Sequence, residues 1–219
     1  MNRRIAKQLL VSIGIALIIS APISAKAMQS WDSSAQVEEK GLPEDFRWTH
    51  GAIESKAHEC FEAEQKRQEE AELQEAIWIQ QMEAMEVLDE YGVNVPWQIR
   101  DYCEEAQEEF NVCAELLEAI AWRESRFDES AKNSGCLGLM QINVKWHKGR
   151  MERLGVTDIY DAQSNIRVGA DYLAELLEKH DGDIDRALME YNGDTREGIS
   201  KYATDILEIS AALERVHGK

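Results

Sequence analysis

CAELLEAIAWRES, residues 113–125, is the stretch on which the reading of this chain turns. Cys113, Leu116, Leu117, Ile120 and Ala121 recur at i, i+3, i+4, i+7 and i+8, which predicts a helix from about Cys113 with one face turned into a core. Glu124 falls at i+11 on that same face. A carboxylate that continues an apolar stripe either reaches water at a frayed helix end or is held where water is scarce. In the second case burial raises its pKa, and the partial negative charge of the helix C-terminus acts in the same direction. A Glu kept protonated near neutral pH is what a general acid requires.

Downstream, helices with clear stops are expected. Pro96 suits the first turn of a helix running to about Phe110. Asp161 or Ser164 could cap a helix carrying Ile166, Ala170, Leu173 and Leu177, and Asp183 caps a short one with Ile184, Ala187, Leu188 and Tyr191 on one face, ending at Asn192 and Gly193. Tyr191 is thereby directed toward the core with a hydroxyl that needs a partner. In the apolar run Leu137 to Ile142, Gly138 permits an unusual φ or a close backbone approach. Gln141 is the side chain there that can both donate and accept hydrogen bonds.

Upstream, the composition changes. Between Gly51 and Gly92 the chain is dense in Glu, Gln, Lys, Arg and Ala and free of proline, which predicts a long helix from about Glu54 to Glu90. Its first half is too polar for a sustained apolar seam. Its second half, with Leu73, Ile77, Trp78, Met82, Met85 and Leu88, can pack on something: the next domain, a second copy, or a protein partner. At the N-terminus, Arg3, Arg4 and Lys7 precede the apolar run Leu9 to Ile19, and Ala25-Lys26-Ala27 has small-x-small spacing. This pattern is that of an export signal. Eleven apolar residues rise about 16 Å as a helix, short of the roughly 30 Å hydrocarbon core.

The whole chain has 219 residues and a formal charge of −18, and loss of the four cations in residues 1–27 would leave −22. Nucleic-acid binding, which needs a basic patch, is excluded as a working reading. Asp181, Asp183 and Asp185 mimic the start of a calcium loop, but Arg186 and Asn192 stand where Gly and Glu are needed. The cysteines at 60, 103, 113 and 136 lack C-x-x-C spacing, and no His pair has zincin spacing. No metal or cofactor is implied; a disulfide bracing Cys113 or Cys136, or free thiols at all four positions, both stay open.

Taken in order, Glu124-Ser125, Gly138-Leu139-Met140-Gln141-Ile142, Asn165-Ile166 with Gly169 and Tyr172-Leu173, and Tyr191-Asn192-Gly193 resemble the motifs of the soluble lytic transglycosylase-like family, relatives of goose-type lysozyme. The resemblance covers about Pro96 to Ala203. It implies a mainly α, lysozyme-like catalytic domain of short helices with a small hairpin or irregular segment, preceded by the long charged helix. It also implies cleavage of the MurNAc-GlcNAc bond of peptidoglycan glycan strands with a 1,6-anhydro-muramyl product. Glu124 would be the acid and then the base, Ser125 and Tyr191 would hold its geometry, Gln141 and Asn192 would line the groove, and Gly138 and Met140 would support it. In that chemistry the sugar's N-acetyl group and its own C6 hydroxyl replace the second carboxylate that a hydrolytic glycosidase needs.

Two residues depart from the family pattern, Leu137 and Glu190. Glu190 could be a solvent-facing residue or, if it reached the groove, a second carboxylate favouring hydrolysis; Asp128 and Asp194 are weaker candidates. A lysozyme-type hydrolase and a non-catalytic peptidoglycan-binding scaffold are the alternative functions. The expected organisation is a signal peptide (1–27), a linker (28–50), a long polar helix (51–92), the catalytic domain (93–205) and a C-terminal helical tail (206–219). Export would place the protein in the periplasm, the cell wall or the medium, off the membrane once the signal is removed, with helix 54–90 available to a protein partner or to self-association.

Overall fold

The computed structural model describes residues 50–218 apart from 195, 197 and 199, with side chains from residue 55 onward. The signal segment 1–27 and residues 28–49 of the linker lie outside the described residues. Contacts divide the chain into Met1–Glu62 and Ala63–Lys219. What is described of the first unit is helical.

The second unit holds the fold. Helix α1 (His50–Tyr91) is one residue longer at its C-terminal end than the sequence predicts, since Gly92 at φ 72 stops it. Then come α2 (Trp97–Phe110), α3 (Ala114–Ser125), three two-residue strands β1 (Lys132–Asn133), β2 (Cys136–Leu137) and β3 (Ile142–Asn143), α4 (Lys148–Leu154), α5 (Ala162–Lys179), α6 (Ile184–Tyr191) and α7 (Lys201–His217). The protein is mainly α. The strands form an antiparallel meander in which Lys132 faces Leu137 and Leu137 faces Ile142. No helix among the described residues is long and apolar enough to cross a membrane.

Helix α3 is the hub. It packs on α2, α5 and α7, and every residue from Ala114 to Trp122 is buried, so it is enclosed on all sides where the sequence suggested a single stripe. A helix enclosed this way brings its polar positions inside too, and they must find partners. Glu115 does so: Cys113 Sγ donates to its Oε2 (3.1 Å), and His217 Nδ1 lies 3.0 Å from its Oε1. All four cysteines are free thiols, and burial with the Glu115 contact pushes the Cys113 thiol up to about 11.

One expected boundary changes. The division between residues 205 and 206 falls inside α7, whose Ile206, Ile209, Ala212 and Leu213 lie in the same core as Tyr202 and Ala203. The predicted tail is therefore a wall of the domain. Of the apolar residues in the second half of α1, Leu88 joins the core together with Ala84, and Val87 and Tyr91 pack against it. Leu73, Ile77, Trp78, Met82 and Met85 remain exposed.

Candidate active site

Glu124 occupies the last turn of α3, just before Arg126 and Phe127 take left-handed backbone (φ 58 and 64) and turn the chain away. The site therefore opens at a helix end whose body is locked in the core. Half-buried there, Glu124 accepts a hydrogen bond at Oε1 from Tyr202 Oη, 2.5 Å away. Burial raises the Glu124 pKa above the usual carboxylate range, while the Tyr202 hydrogen bond and the Arg123 cation oppose it. Arg123 is itself held off the carboxylate. Its guanidinium lies over the Tyr202 ring, 5.6 Å from the centroid, and its Nε is 3.6 Å from Asp205. Asp205, buried on α7, also takes Lys201 Nζ at 2.7 Å and Tyr91 Oη at 3.2 Å. The cation thus lies beside a carboxylate of its own, and burial outweighs its pull on Glu124.

The loop Gly138–Gln141 is anchored by Asn165, which is completely buried at the start of α5. Asn165 Oδ1 accepts from Met140 N (2.7 Å), and its Nδ2 donates to Ile159 O (2.8 Å) and Leu137 O (3.0 Å). Asp161 caps α5 by accepting from Ser164 N, which sets the register that points Asn165 at the loop. Glycine is required at 138: φ is +74, and a Cβ there would stand 2.3 Å from Asn165 Nδ2. Across the fold, Gly169 admits Met140, whose Cε would meet a Cβ at 2.8 Å.

Tyr191, at the end of α6, donates to Met140 O at 3.0 Å. Burial raises its hydroxyl pKa well above 10, and the charge of Glu124 adds to the shift, so the two groups are within electrostatic reach. Its ring continues into a row of rings: Tyr172 at 5.2 Å, then His147 4.5 Å beyond. Arg150 braces that row, lying over Tyr172 and donating to Glu175 (2.6 Å) and Asp171.

The predicted site residues therefore separate into groups. The hydroxyl on the Glu124 carboxylate belongs to Tyr202, and Tyr191 serves the loop carbonyl instead. This corrects the role the family resemblance implied for Tyr191. Ser125 donates to Ala121 O within its own helix (3.0 Å) and does not bond the carboxylate. Gln141, at φ 46, turns its amide nitrogen onto Gly138 O (2.9 Å) and Ala131 O (3.3 Å), which leaves its carbonyl oxygen as the group directed outward from these bonds. Met140 is fully buried and supports from beneath, while Asn192 is exposed just past α6. Tyr202 was missed. Its signal was the stripe Tyr202, Ile206, Ile209 and Leu213 at i, i+4, i+7 and i+11, a pattern hidden by treating residues after 205 as a tail.

The proposed second carboxylates are all engaged elsewhere. Glu190 accepts from Lys179 Nζ (2.5 Å) and lies 2.7 Å from His180 Nε2, contacts that lower its pKa. Asp128 takes the backbone and hydroxyl of Ser130. Arg196 holds Asp194 down to about 2. Asp183 caps α6 by accepting from Arg186 N. Among the described residues no group of three His, Cys, Asp or Glu side chains is placed to hold a metal ion.

A mainly helical domain with a hub helix ending in a partly buried Glu and a three-strand meander is lysozyme-like in fold. The family model of the transglycosylase SLT domain matches residues 101–204, just under half of the chain. Peptidoglycan transglycosylase gp16 of Escherichia phage T7 is 37% identical over 48% of this chain and 8% of its own length. Membrane-bound lytic murein transglycosylase F 2 of Alkalilimnicola ehrlichii is 39% identical over 41% of this chain and 20% of its own. Invasion protein IagB of Salmonella typhimurium is 34% identical over 39% of this chain and 57% of its own. The chain thus spans less than two thirds of each of these relatives. A solved structure of an inactive mutant of the lytic transglycosylase Slt from Pseudomonas aeruginosa superposes with TM-score 0.50 at 18% identity, covering 57% of this chain and 25% of that one, a likeness of fold.

Proposed function

We propose that the chain is a peptidoglycan lytic transglycosylase that cleaves the MurNAc-GlcNAc bond and closes the sugar's C6 oxygen on C1 to leave a 1,6-anhydro-muramyl end. The observation that carries this reading is Glu124, a half-buried carboxylate with raised pKa on the hydroxyl of Tyr202. Protonated, it gives its proton to the glycosidic oxygen. Ionised, it takes the C6 hydroxyl proton as the ring closes. Tyr202 suits both stages, because its hydrogen bond favours the anion and offsets part of the burial that favours the acid.

The engagement of Glu190, Asp128 and Asp194 by other groups favours a single-carboxylate route over hydrolysis, which would call on a second acid or base. The C6 hydroxyl is tethered to the reacting carbon, so it competes with water through high effective molarity. The Gln141 carbonyl and the exposed Asn192 amide supply polar contacts for the strand, and the N-terminal segment would export the protein to the wall. Purified sacculi digested with the chain should lose turbidity and release fragments with anhydro ends by mass spectrometry. Fragments with reducing ends only would make it a lysozyme-type hydrolase. Absence of clearing by a folded chain that still sediments with sacculi would make it a binding scaffold.

A further inference from the structure

Helix α1 between Leu73 and Met85 carries six large apolar side chains, Leu73, Ile77, Trp78, Ile79, Met82 and Met85, each 39–59% exposed. They are spread around the helix. Trp78, Met82 and Met85 form one stripe at i, i+4 and i+7. Leu73 and Ile77 stand on the face that Ala84 and Leu88, at i+7 and i+11 from Ile77, continue into the core. A helix apolar on several sides is normally enclosed, and here only its end is. The open area is on the order of 500 Å² per chain, and about twice that once a partner covers it, near the lower end of specific interfaces.

Charge decides what can cover it. From Glu69 to Tyr91 the helix carries Glu69, Glu70, Glu72, Glu75, Glu83, Glu86, Asp89 and Glu90 and no Lys, Arg or His. The nearest cations on the helix, Arg67 and Lys66, already meet Glu64 at 2.5 Å and Glu70 at 3.9 Å. A second copy would set one acidic stretch against another in a chain of net charge −18. A basic amphipathic helix would set its cations against those carboxylates and its apolar stripe against Trp78, Met82 and Met85, whose flexible thioethers adapt to varied shapes. We propose that residues 69–91 of α1 are a docking surface for a basic amphipathic helix of another protein, which would tether the domain to that partner.

The test uses a fluorescent Leu/Lys amphipathic helical peptide of roughly five turns, its Leu/Glu counterpart, and the triple variant Trp78→Ala, Met82→Ala, Met85→Ala, which leaves every acidic residue in place. Anisotropy should show the Leu/Lys peptide binding at least ten-fold more tightly than Leu/Glu, with affinity falling several-fold between about 50 and 300 mM salt. The triple variant should lose at least ten-fold in affinity while sacculus clearing is unchanged, and sedimentation should find a monomer. Equal binding by the triple variant would reduce the effect to charge alone and overturn the proposal, as would a Leu/Lys peptide that binds no better than Leu/Glu. A dimer abolished by the triple variant would give the face to a second copy instead.

Discussion

Glu124 and Glu190 are both the penultimate residue of a helix, α3 and α6, yet their surroundings drive their protons in opposite directions. At the end of α3 the carboxylate is partly desolvated, its nearest cation is drawn off by Asp205, and its contact is a phenol. At the end of α6 it meets an ammonium and an imidazole at the surface. Position at a helix terminus is thus a weak determinant of acidity. What neighbouring elements present to the carboxylate, above all α7 and the last turn of α5, decides whether it is an acid or a fixed anion.

The largest effect that tests this contrast is on wall clearing. Glu124→Gln should lower the clearing rate by about 10² to 10⁴, the usual contribution of a positioned general acid, with the domain still folded by circular dichroism. Glu190→Gln should stay within about three-fold of the parent. If instead the Glu190 variant is the inactive one, the two environments have been assigned the wrong way round.

Next in size is the loop that supports the Glu124 side of the molecule. Gly138→Ala combines a left-handed backbone with a Cβ 2.3 Å from Asn165 Nδ2, and Asn165 holds three backbone groups there. Strain and lost hydrogen bonds together should cost about 2–4 kcal/mol, read as a lower midpoint in urea with an unchanged slope.

Tyr202→Phe sharpens the account of Glu124 itself. It should lower the maximal rate by about ten-fold, in line with loss of a hydrogen bond to a charged group. It should also shift the alkaline limb of the pH–rate profile upward. The sign follows from the geometry: the phenol favours the anion, so its removal leaves burial less opposed and the acid keeps its proton to higher pH. A loss of rate with an unmoved limb would make Tyr202 a structural residue only.

Much of this was legible beforehand, and the divisions are physical. Periodicity found α3, α5 and α6, and the capping roles of Asp161 and Asp183 followed from the preference of short carboxylates for helix starts. The stripe through Glu124 anticipated its partial burial because burial in a helix repeats every three or four residues. Three things were illegible. That α3 is buried on all sides depends on three other helices, which no local pattern states. Tyr202 bonds a residue 78 positions away, and Met140 receives Tyr191 across 51, so the choice between two tyrosines is a tertiary fact. Gln141 offered both donor and acceptor groups, and only the left-handed backbone shows that its donors turn inward. In the apolar second half of α1 the end packs on the domain, one of the partners its composition left open, while Leu73 to Met85 stay exposed.

The smallest effects concern stability, and there the two carboxylates should differ in sign. Glu124 has a folded-state pKa raised by burial, so its contribution to stability is fully present below the unfolded carboxyl range and is lost as pH rises through the folded value. Glu124→Gln, which cannot ionise and still offers an oxygen to Tyr202, should therefore melt slightly above the parent at pH 7, with the gap closing toward pH 4. Glu190 has a lowered pKa, so its stabilisation is present above the unfolded range and is lost as pH falls through the folded value. Glu190→Gln should melt slightly below the parent at pH 7, by less than about 1 kcal/mol because solvent screens a pair this exposed, and the deficit should shrink in acid or in high salt. Thermal melts of both variants across pH 4–8 should thus diverge in opposite directions from a common acidic origin. Two curves displaced to the same side would show that the helix ends, and not the partners beyond them, set the charge state of each Glu.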